Sequence, residues 1–233
     1  MRTRAARTPP SPASLRYAPR LIIMIKEPVA GRVKTRLARG IGTVAATAAY
    51  RAMISSLVAR LADRRWQTTL AVSPDTACAS RMMPLRTLRR PQGGGDLGHR
   101  LQRVLDDAPL GPVVIVGTDI PAIQSYDIAE AFRALGSHDA VFGQSGDGGY
   151  WLIGFKRMPR VPRAFAGVRW SSEYALADTR ANLKGLRVSQ LRVLDDIDAA
   201  DDFARQRHLI GRRVIVPGRF SLSPWGEEVF VTK

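Results

Sequence analysis

This 233-residue chain is poor in several residue types, and each scarcity narrows its chemistry. It has one cysteine, Cys78, so no intrachain disulfide can form, and a reducing, cytoplasmic compartment is the simplest expectation. Cys78 itself reads as an inert small residue. The three histidines, His99, His138 and His208, lie far apart, with neither metal-ligand spacing nor a nucleophile pattern around them. No Gly-x-Gly-x-x-Gly opens a first helix and no Gly-Lys-Ser/Thr occurs, which removes dinucleotide oxidoreductases and P-loop phosphotransferases from the leading candidates. No apolar run approaches the roughly 18 to 20 residues that span a bilayer, the longest strand-like runs being 21–25 and 113–116, so no membrane span is expected.

Lysine is scarce as well: only five of the 36 basic residues are Lys, and the rest are Arg. The net charge of +16 invites a non-catalytic nucleic-acid-binding reading, but the Arg excess is scattered along the whole chain, which argues against a dedicated polyanion face. Basic residues cluster mainly in the tail 1–20, among Pro, Ser and Ala. Such a segment cannot bury enough apolar surface to order itself, and a disordered tail is expected. It lacks acidic residues, like a transit peptide, and has no apolar core of the kind a secretory signal needs.

At 45% hydrophobic residues the remainder suffices for one large domain. Apolar runs alternate with helix-like stretches. Strands are expected at 21–26, 68–72, 113–117, 139–143, 150–155 and 186–194, and helices at 43–62, 97–107, 125–135, 171–183 and 199–208. This βαβ rhythm predicts an α/β fold: a mainly parallel sheet with helices on both faces. The stretch 212–233 is an extension of unknown role, carrying turn signals between short apolar pairs.

Ligands of open α/β sheets bind beyond the carboxyl ends of the strands, so the loops there carry the functional candidates. After the first strand comes Pro28-Val29-Ala30-Gly31-Arg32-Val33-Lys34-Thr35-Arg36-Leu37, where Gly31 permits close approach of a ligand. If the segment is extended, Arg32, Lys34 and Arg36 share one face and suit a pyrophosphate. A solvated basic loop is the structural alternative. Asp119, in Gly117-Thr118-Asp119-Ile120-Pro121, follows a buried strand and offers a hard oxygen ligand to Mg2+ or Mn2+; a carboxylate at the next helix N-terminus is the alternative. Asp196 and Asp198, spaced by two with Ile197 turned to the core, could join it.

Gln92-Gly93-Gly94-Gly95-Asp96-Leu97-Gly98 could lie against a nucleoside, with Asp96 either capping the helix or touching the ligand. Asp147-Gly148-Gly149-Tyr150-Trp151 offers a carboxylate to orient or deprotonate a hydroxyl and aromatic rings to wall a sugar, or else a tight hairpin with its aromatics in the core. Trp170-Ser171-Ser172-Glu173 reads as a strand or loop ending in a capped helix.

Taken in order, the basic loop with Lys26-Glu27-Pro28, the Gly94 to Gly98 turn, Gly117 to Pro121, Asp147-Gly148-Gly149-Tyr150-Trp151-Leu152-Ile153-Gly154 and Trp170-Ser171-Ser172 resemble a bacterial family. That family was long known as a domain of unknown function and was later named a glycosyltransferase associated with radical-SAM/selenodomain proteins and arsenosugar biosynthesis. The resemblance covers residues 21 to 210. It implies the GT-A, nucleotide-diphospho-sugar transferase fold, a single Rossmann-like domain over 21–211. More distantly the chain is similar to molybdenum-cofactor and phospholactate guanylyltransferases.

By this resemblance Gly31, Arg32, Lys34 and Arg36 would meet phosphates, and Gly94, Gly95 and Asp96 the nucleoside. Asp119 would be the principal metal ligand. The residues themselves add Asp196 and Asp198 as further ligands, Lys34 and Asp147 as catalytic groups, and Gly148, Gly149, Tyr150 and Trp170 as acceptor contacts. A late Asp-Val-Asp-Thr pattern of the family appears here as Asp196-Ile197-Asp198-Ala199, without its Thr hydroxyl. The implied function is a metal-dependent glycosyltransferase acting on a nucleotide sugar and a small-molecule acceptor. A nucleotidyltransferase releasing pyrophosphate is the alternative.

Overall fold

The computed structural model describes residues 17–84, 87–158 and 160–210, together with the backbone of 220–222 and 228–230. Seven strands form one sheet: β1 (Arg20–Lys26), β2 (Gln67–Ser73), β3 (Leu88–Pro91), β4 (Val113–Val116), β5 (Ala140–Gln144), β6 (Tyr150–Phe155) and β7 (Val188–Leu191). Their order is β3-β2-β1-β4-β6-β5-β7. All neighbours are parallel except β6, which runs antiparallel to both β4 and β5. The central strands β1 and β4 read as near-continuous apolar runs because helices cover both of their faces.

The helices are α1 (Thr35–Ile41), α2 (Thr43–Arg60), α3 (Leu97–Asp107), α4 (Ser125–Ala134), α5 (Ala175–Ala181) and α6 (Ala200–Gln206). Leu21, Ile23 and Ile25 of β1 turn to one layer, where they meet Leu37 of α1, Met53 and Leu57 of α2, Ile128 of α4 and Phe203 of α6. Ile22 turns to the other, among Leu101 and Leu105 of α3, with Leu176 of α5 packed at its border. The period of two along the strand thus feeds two cores. Helix α3 keeps its apolar side at Gly98, Leu101, Val104 and Leu105, the three-to-four spacing of a helix lying on a sheet.

Three features differ from the sequence expectation. Residues 32–36 are not extended: Lys34 adopts a left-handed backbone (φ 48°) and helix α1 begins at Thr35. Strand β3 is an extra, exposed edge strand. Strand β1 starts at Arg20, inside the segment expected to be tail, and Pro19 accepts a hydrogen bond from Gln67 N at 2.9 Å. The expectation for residues 1–16 lies outside the described residues. So does that for the C-terminal extension, apart from the backbone of an antiparallel pair, β8 (Phe220–Leu222) with β9 (Glu228–Phe230).

Candidate active site

The carboxyl ends of β1, β4 and β5 and the start of β6 share one edge of the sheet, as their pairing requires. Four connections therefore converge there: 27–34, 117–124, 145–149 and 192–199. Between them opens a cleft of about 650 Å³, of the size that holds a small ligand.

Lys34 is central. Its left-handed backbone turns the side chain inward, where it is only 5% exposed. Its Nζ donates to Ile197 O at 2.6 Å and lies 3.2 Å from Asp119 Oδ2 and 4.0 Å from Asp198 Oδ1. Arg36, the second residue of α1, reaches Asp198 Oδ2 at 2.6 Å. Ile197 is fully buried and its N–H donates to Asp119 O at 2.9 Å, so the spacing of two does present Asp196 and Asp198 to the cleft. Arg32 stays exposed on the loop and is not among the residues bordering the cleft, which follows from the loss of the extended segment.

Behind this group Tyr50 is buried in α2. Its hydroxyl accepts from Lys26 N at 3.1 Å and pairs with Thr118 Oγ1 at 3.0 Å, which ties the ends of β1 and β4 together beside Asp119. Burial, then the charge of Asp119, pushes the Tyr50 hydroxyl up to about 12, so it remains a neutral strut. Asp196 is pushed up to about 6, first by burial and then by the charge of Asp147, with Asp198 and Asp119 adding to it and Lys34 opposing. Four carboxylates, Asp119, Asp147, Asp196 and Asp198, are crowded here against two cations, Lys34 and Arg36.

That crowding bears on a metal ion. Asp119 and Asp198 are hard oxygen donors separated by a cation, which suits a divalent ion in charge and ligand type. Among the described residues no three acidic, His or Cys side chains already converge as a ready cage. The residues fit an ion that completes its shell with water and ligand phosphates, as Mg2+ commonly does.

The segment from Asp147 to Trp151 is a hairpin between β5 and β6, the structural alternative of the sequence reading, yet it still serves the cleft. Asp147 Oδ1 accepts from Gly149 N at 2.9 Å. Gly148 has a positive φ of 83°, and a Cβ there would come within 2.3 Å of Glu173 O, so only glycine fits. The pairing shifts at Gly143/Gln144, leaving Trp151 without a direct partner. This bulge puts Trp151 on the same side of the sheet as Leu152 and sends Tyr150 to the other. Trp151 goes into the core and donates from Nε1 to Arg192 O at 3.2 Å, while Tyr150 borders the cleft beside Trp170. Ser172 belongs to a loop and accepts from Tyr174 N at 3.3 Å, and the helix begins only at Ala175.

Asp96 caps α3, accepting from His99 N at 2.9 Å. Gly94 and Gly95 sit in a turn whose carbonyls accept from Arg103 Nη1 at 3.0 Å and Arg100 Nε at 2.9 Å, and neither they nor Asp96 borders the cleft. The next residue, Leu97, does. Met24, Leu101, Ser145 and Glu173 also border it, unanticipated from sequence because core-like spacing and loop polarity carry no mark of a site.

With this geometry in view, the comparisons are informative. A family profile described as an uncharacterized protein conserved in bacteria, DUF2064, matches residues 57–172. That span includes Asp119, the Asp147 hairpin and Trp170, but neither the basic loop nor Asp196 and Asp198. A crystal structure described as a candidate nucleotide-diphospho-sugar transferase from Desulfovibrio desulfuricans G20 is 25% identical, with a TM-score of 0.71 over 83% of this chain and 97% of that one. The chain has the nucleotide-diphospho-sugar transferase fold. At the level of fold alone it is also similar to 4-diphosphocytidyl-2C-methyl-D-erythritol synthase from Anaerococcus prevotii, 11% identical, with a TM-score of 0.54 over 84% of this chain and 100% of that one. CMP:2-keto-3-deoxy-manno-octonic acid synthetase complexed with CTP gives 11% identity and a TM-score of 0.52 over 82% of this chain and 98% of that one. No curated protein sequence matches the chain. Among the described residues no helix is long and apolar enough to cross a membrane.

Proposed function

We propose that the protein is a metal-dependent glycosyltransferase that takes a nucleotide-sugar donor and a small-molecule acceptor. The observation that carries this reading is the placement of Lys34 and Arg36 against Asp119 and Asp198 at the carboxyl edge of the sheet, beside an aromatic-walled cleft. The likeness to the Desulfovibrio structure supports it, as does the motif resemblance to glycosyltransferases associated with radical-SAM and arsenosugar-biosynthesis proteins.

In this reading Asp119, with Asp198 and Asp196, would hold Mg2+ or Mn2+, and the bound ion would neutralise charge on the donor's phosphates. Lys34 and Arg36 stabilise the departing nucleoside diphosphate, Lys34 as a compact charge and Arg36 through paired planar donors. Asp147 orients the acceptor hydroxyl and takes its proton as the oxygen bonds to the anomeric carbon. Tyr150 and Trp170 supply the acceptor's apolar wall, and Gly148 and Gly149 let the hairpin approach it.

A nucleotidyltransferase is the second reading, favoured by the fold likeness to the two cytidylyl-transfer enzymes. Product analysis separates them. Incubation with nucleotide sugars and a divalent ion should release nucleoside diphosphate with a glycosylated acceptor, whereas release of pyrophosphate from nucleoside triphosphates would establish the second reading.

A further inference from the structure

Resting on the glycosyl-transfer reading, we infer that the acceptor is a non-anionic hydroxyl compound with an apolar face, and that phosphorylated or carboxylated acceptors are rejected. The cleft has two unlike kinds of lining. Arg36, Asp119 and Asp198 border it as charged groups, with Lys34 paired to Asp119 at 3.2 Å. Met24 and Ile115 of the sheet, Leu97 and Leu101 of α3, Tyr150 and Trp170 make an apolar lining.

The Tyr150 hydroxyl is engaged by Thr179 Oγ1 at 3.3 Å, which leaves its ring as the group facing the cleft. That ring is held edge-on by Phe142 at 5.3 Å and by Trp170 at 6.4 Å between centroids. Rigid rings of this kind suit the apolar face of a sugar or an aryl group. Trp170 is itself fixed by Phe165 and by the absence of a side chain at Gly98, where a Cβ would lie 2.9 Å from its Nε1.

The charges lining the cleft disfavour an anionic acceptor beside the donor. Among the described residues Arg36 is the one cation bordering the cleft, together with Asp119, Asp147, Asp196, Asp198 and Glu173. Arg36 is already paired with Asp198, and Lys34 with Asp119. Even with Lys34 and a divalent ion included, carboxylates remain in excess, and the donor's phosphates add further negative charge. A phosphorylated acceptor would find no uncommitted cation among these lining residues, and like-charge juxtaposition is an effective means of rejecting wrong partners. Glu173 and Asp147 share the lining with Tyr150 and Trp170 and would do most of the rejecting.

The test uses three ligands that differ only at one carbon: phenyl β-D-glucoside, phenyl β-D-glucuronide and phenyl β-D-glucoside 6-phosphate. ADP, GDP, CDP and UDP are first titrated with Mg2+; binding of none would overturn the glycosyl-transfer reading itself. The three glucosides are then titrated by calorimetry into the protein holding Mg2+ and the tightest-binding diphosphate. The glucoside should bind at least tenfold more tightly than either anion, and Glu173→Lys should narrow that ratio at least threefold. Equal or tighter binding of the glucuronide or phosphate would overturn the charge argument, and binding of none of the three would overturn the aromatic wall, both while leaving nucleotide binding intact.

Discussion

Replacing Lys34 by Met removes one ammonium while keeping an unbranched stem of similar length, so it isolates the charge at the centre of the site. In the structure that ammonium donates to Ile197 O at 2.6 Å and neighbours Asp119 at 3.2 Å, with the Lys34 side chain 5% exposed. A charge-assisted bond of this kind contributes about 1.5–3 kcal/mol. The two ion pairs add little, because Asp119 and Asp198 are 43% and 41% exposed and solvent screens them. The expected loss is therefore about 2–3 kcal/mol, which for a domain of this size lowers the melting temperature by about 4–12 °C. The variant should also differ from wild type in its response to ions. With their internal cation gone, Asp119 and Asp198 should make Mn2+ alone more stabilising for the variant than for wild type, while nucleoside diphosphate stabilises it less. Differential scanning fluorimetry with and without Mn2+ and nucleotide measures both. A variant that melts within about 1 °C of wild type, with an unchanged ion response, would refute the placement of Lys34 as the site's resident cation.

Other perturbations test neighbouring parts of the account. At Gly143 a Cβ would lie 2.3 Å from the buried Trp151 ring, so Gly143→Ala should overpack the core by about 1–3 kcal/mol in chemical denaturation; a neutral result would mean the bulge can shift at no cost. The loop bearing Trp170 is clamped by Arg169, whose side chain hydrogen-bonds Asp178 and holds its carboxyl down to about 2. A depressed carboxylate stabilises the fold fully above its ordinary value and ceases to do so as pH falls through the folded one. The stability difference between wild type and Arg169→Gln should thus be constant above about pH 5 and fade towards pH 1, and a difference undiminished at pH 1 would contradict the clamp. Asp147→Asn should lower turnover by on the order of a hundredfold with nucleotide binding retained, and near-normal turnover would remove Asp147 as the proton acceptor.

Much of this could be read from the chain because burial and capping leave periodic marks. Helix α3 was expected at the bounds it has, since Asp96 announces its start and apolar residues recur at helical spacing. Strand β6 was equally legible as an apolar run after Gly148-Gly149. Helix α1 was not: it buries only Leu37 fully, and a seven-residue helix with one anchor has no periodicity to distinguish it from an extended basic loop. Its start depends on Lys34 reaching Ile197, a contact between residues far apart in sequence. Strand β3, Leu-Arg-Arg-Pro, is an exposed edge with no alternation to detect. At the site the structure brings Lys34, Arg36, Asp119, Asp147, Asp196 and Asp198 together: the aspartates lie in the short connections that follow strands, whereas Lys34 and Arg36 arrive through the turn into α1 rather than an extended segment. Arg32 diverges because the turn at Lys34 reorients the loop, and Asp96 is committed to its helix.

The central claim is that Asp119 and its ion hold a nucleotide against Lys34 and Arg36, and nucleotide-induced stabilisation of wild type and Asp119→Asn tests it most directly. With wild type, a nucleoside diphosphate or nucleotide sugar at 100 times its dissociation constant should add roughly 2.7 kcal/mol in the presence of Mg2+ or Mn2+ and much less without. Asp119→Asn keeps the side-chain shape and should fold normally yet lose the metal-dependent part of that gain. Full metal-dependent stabilisation of Asp119→Asn, or no stabilisation of folded wild type by any nucleotide tested, would contradict the account.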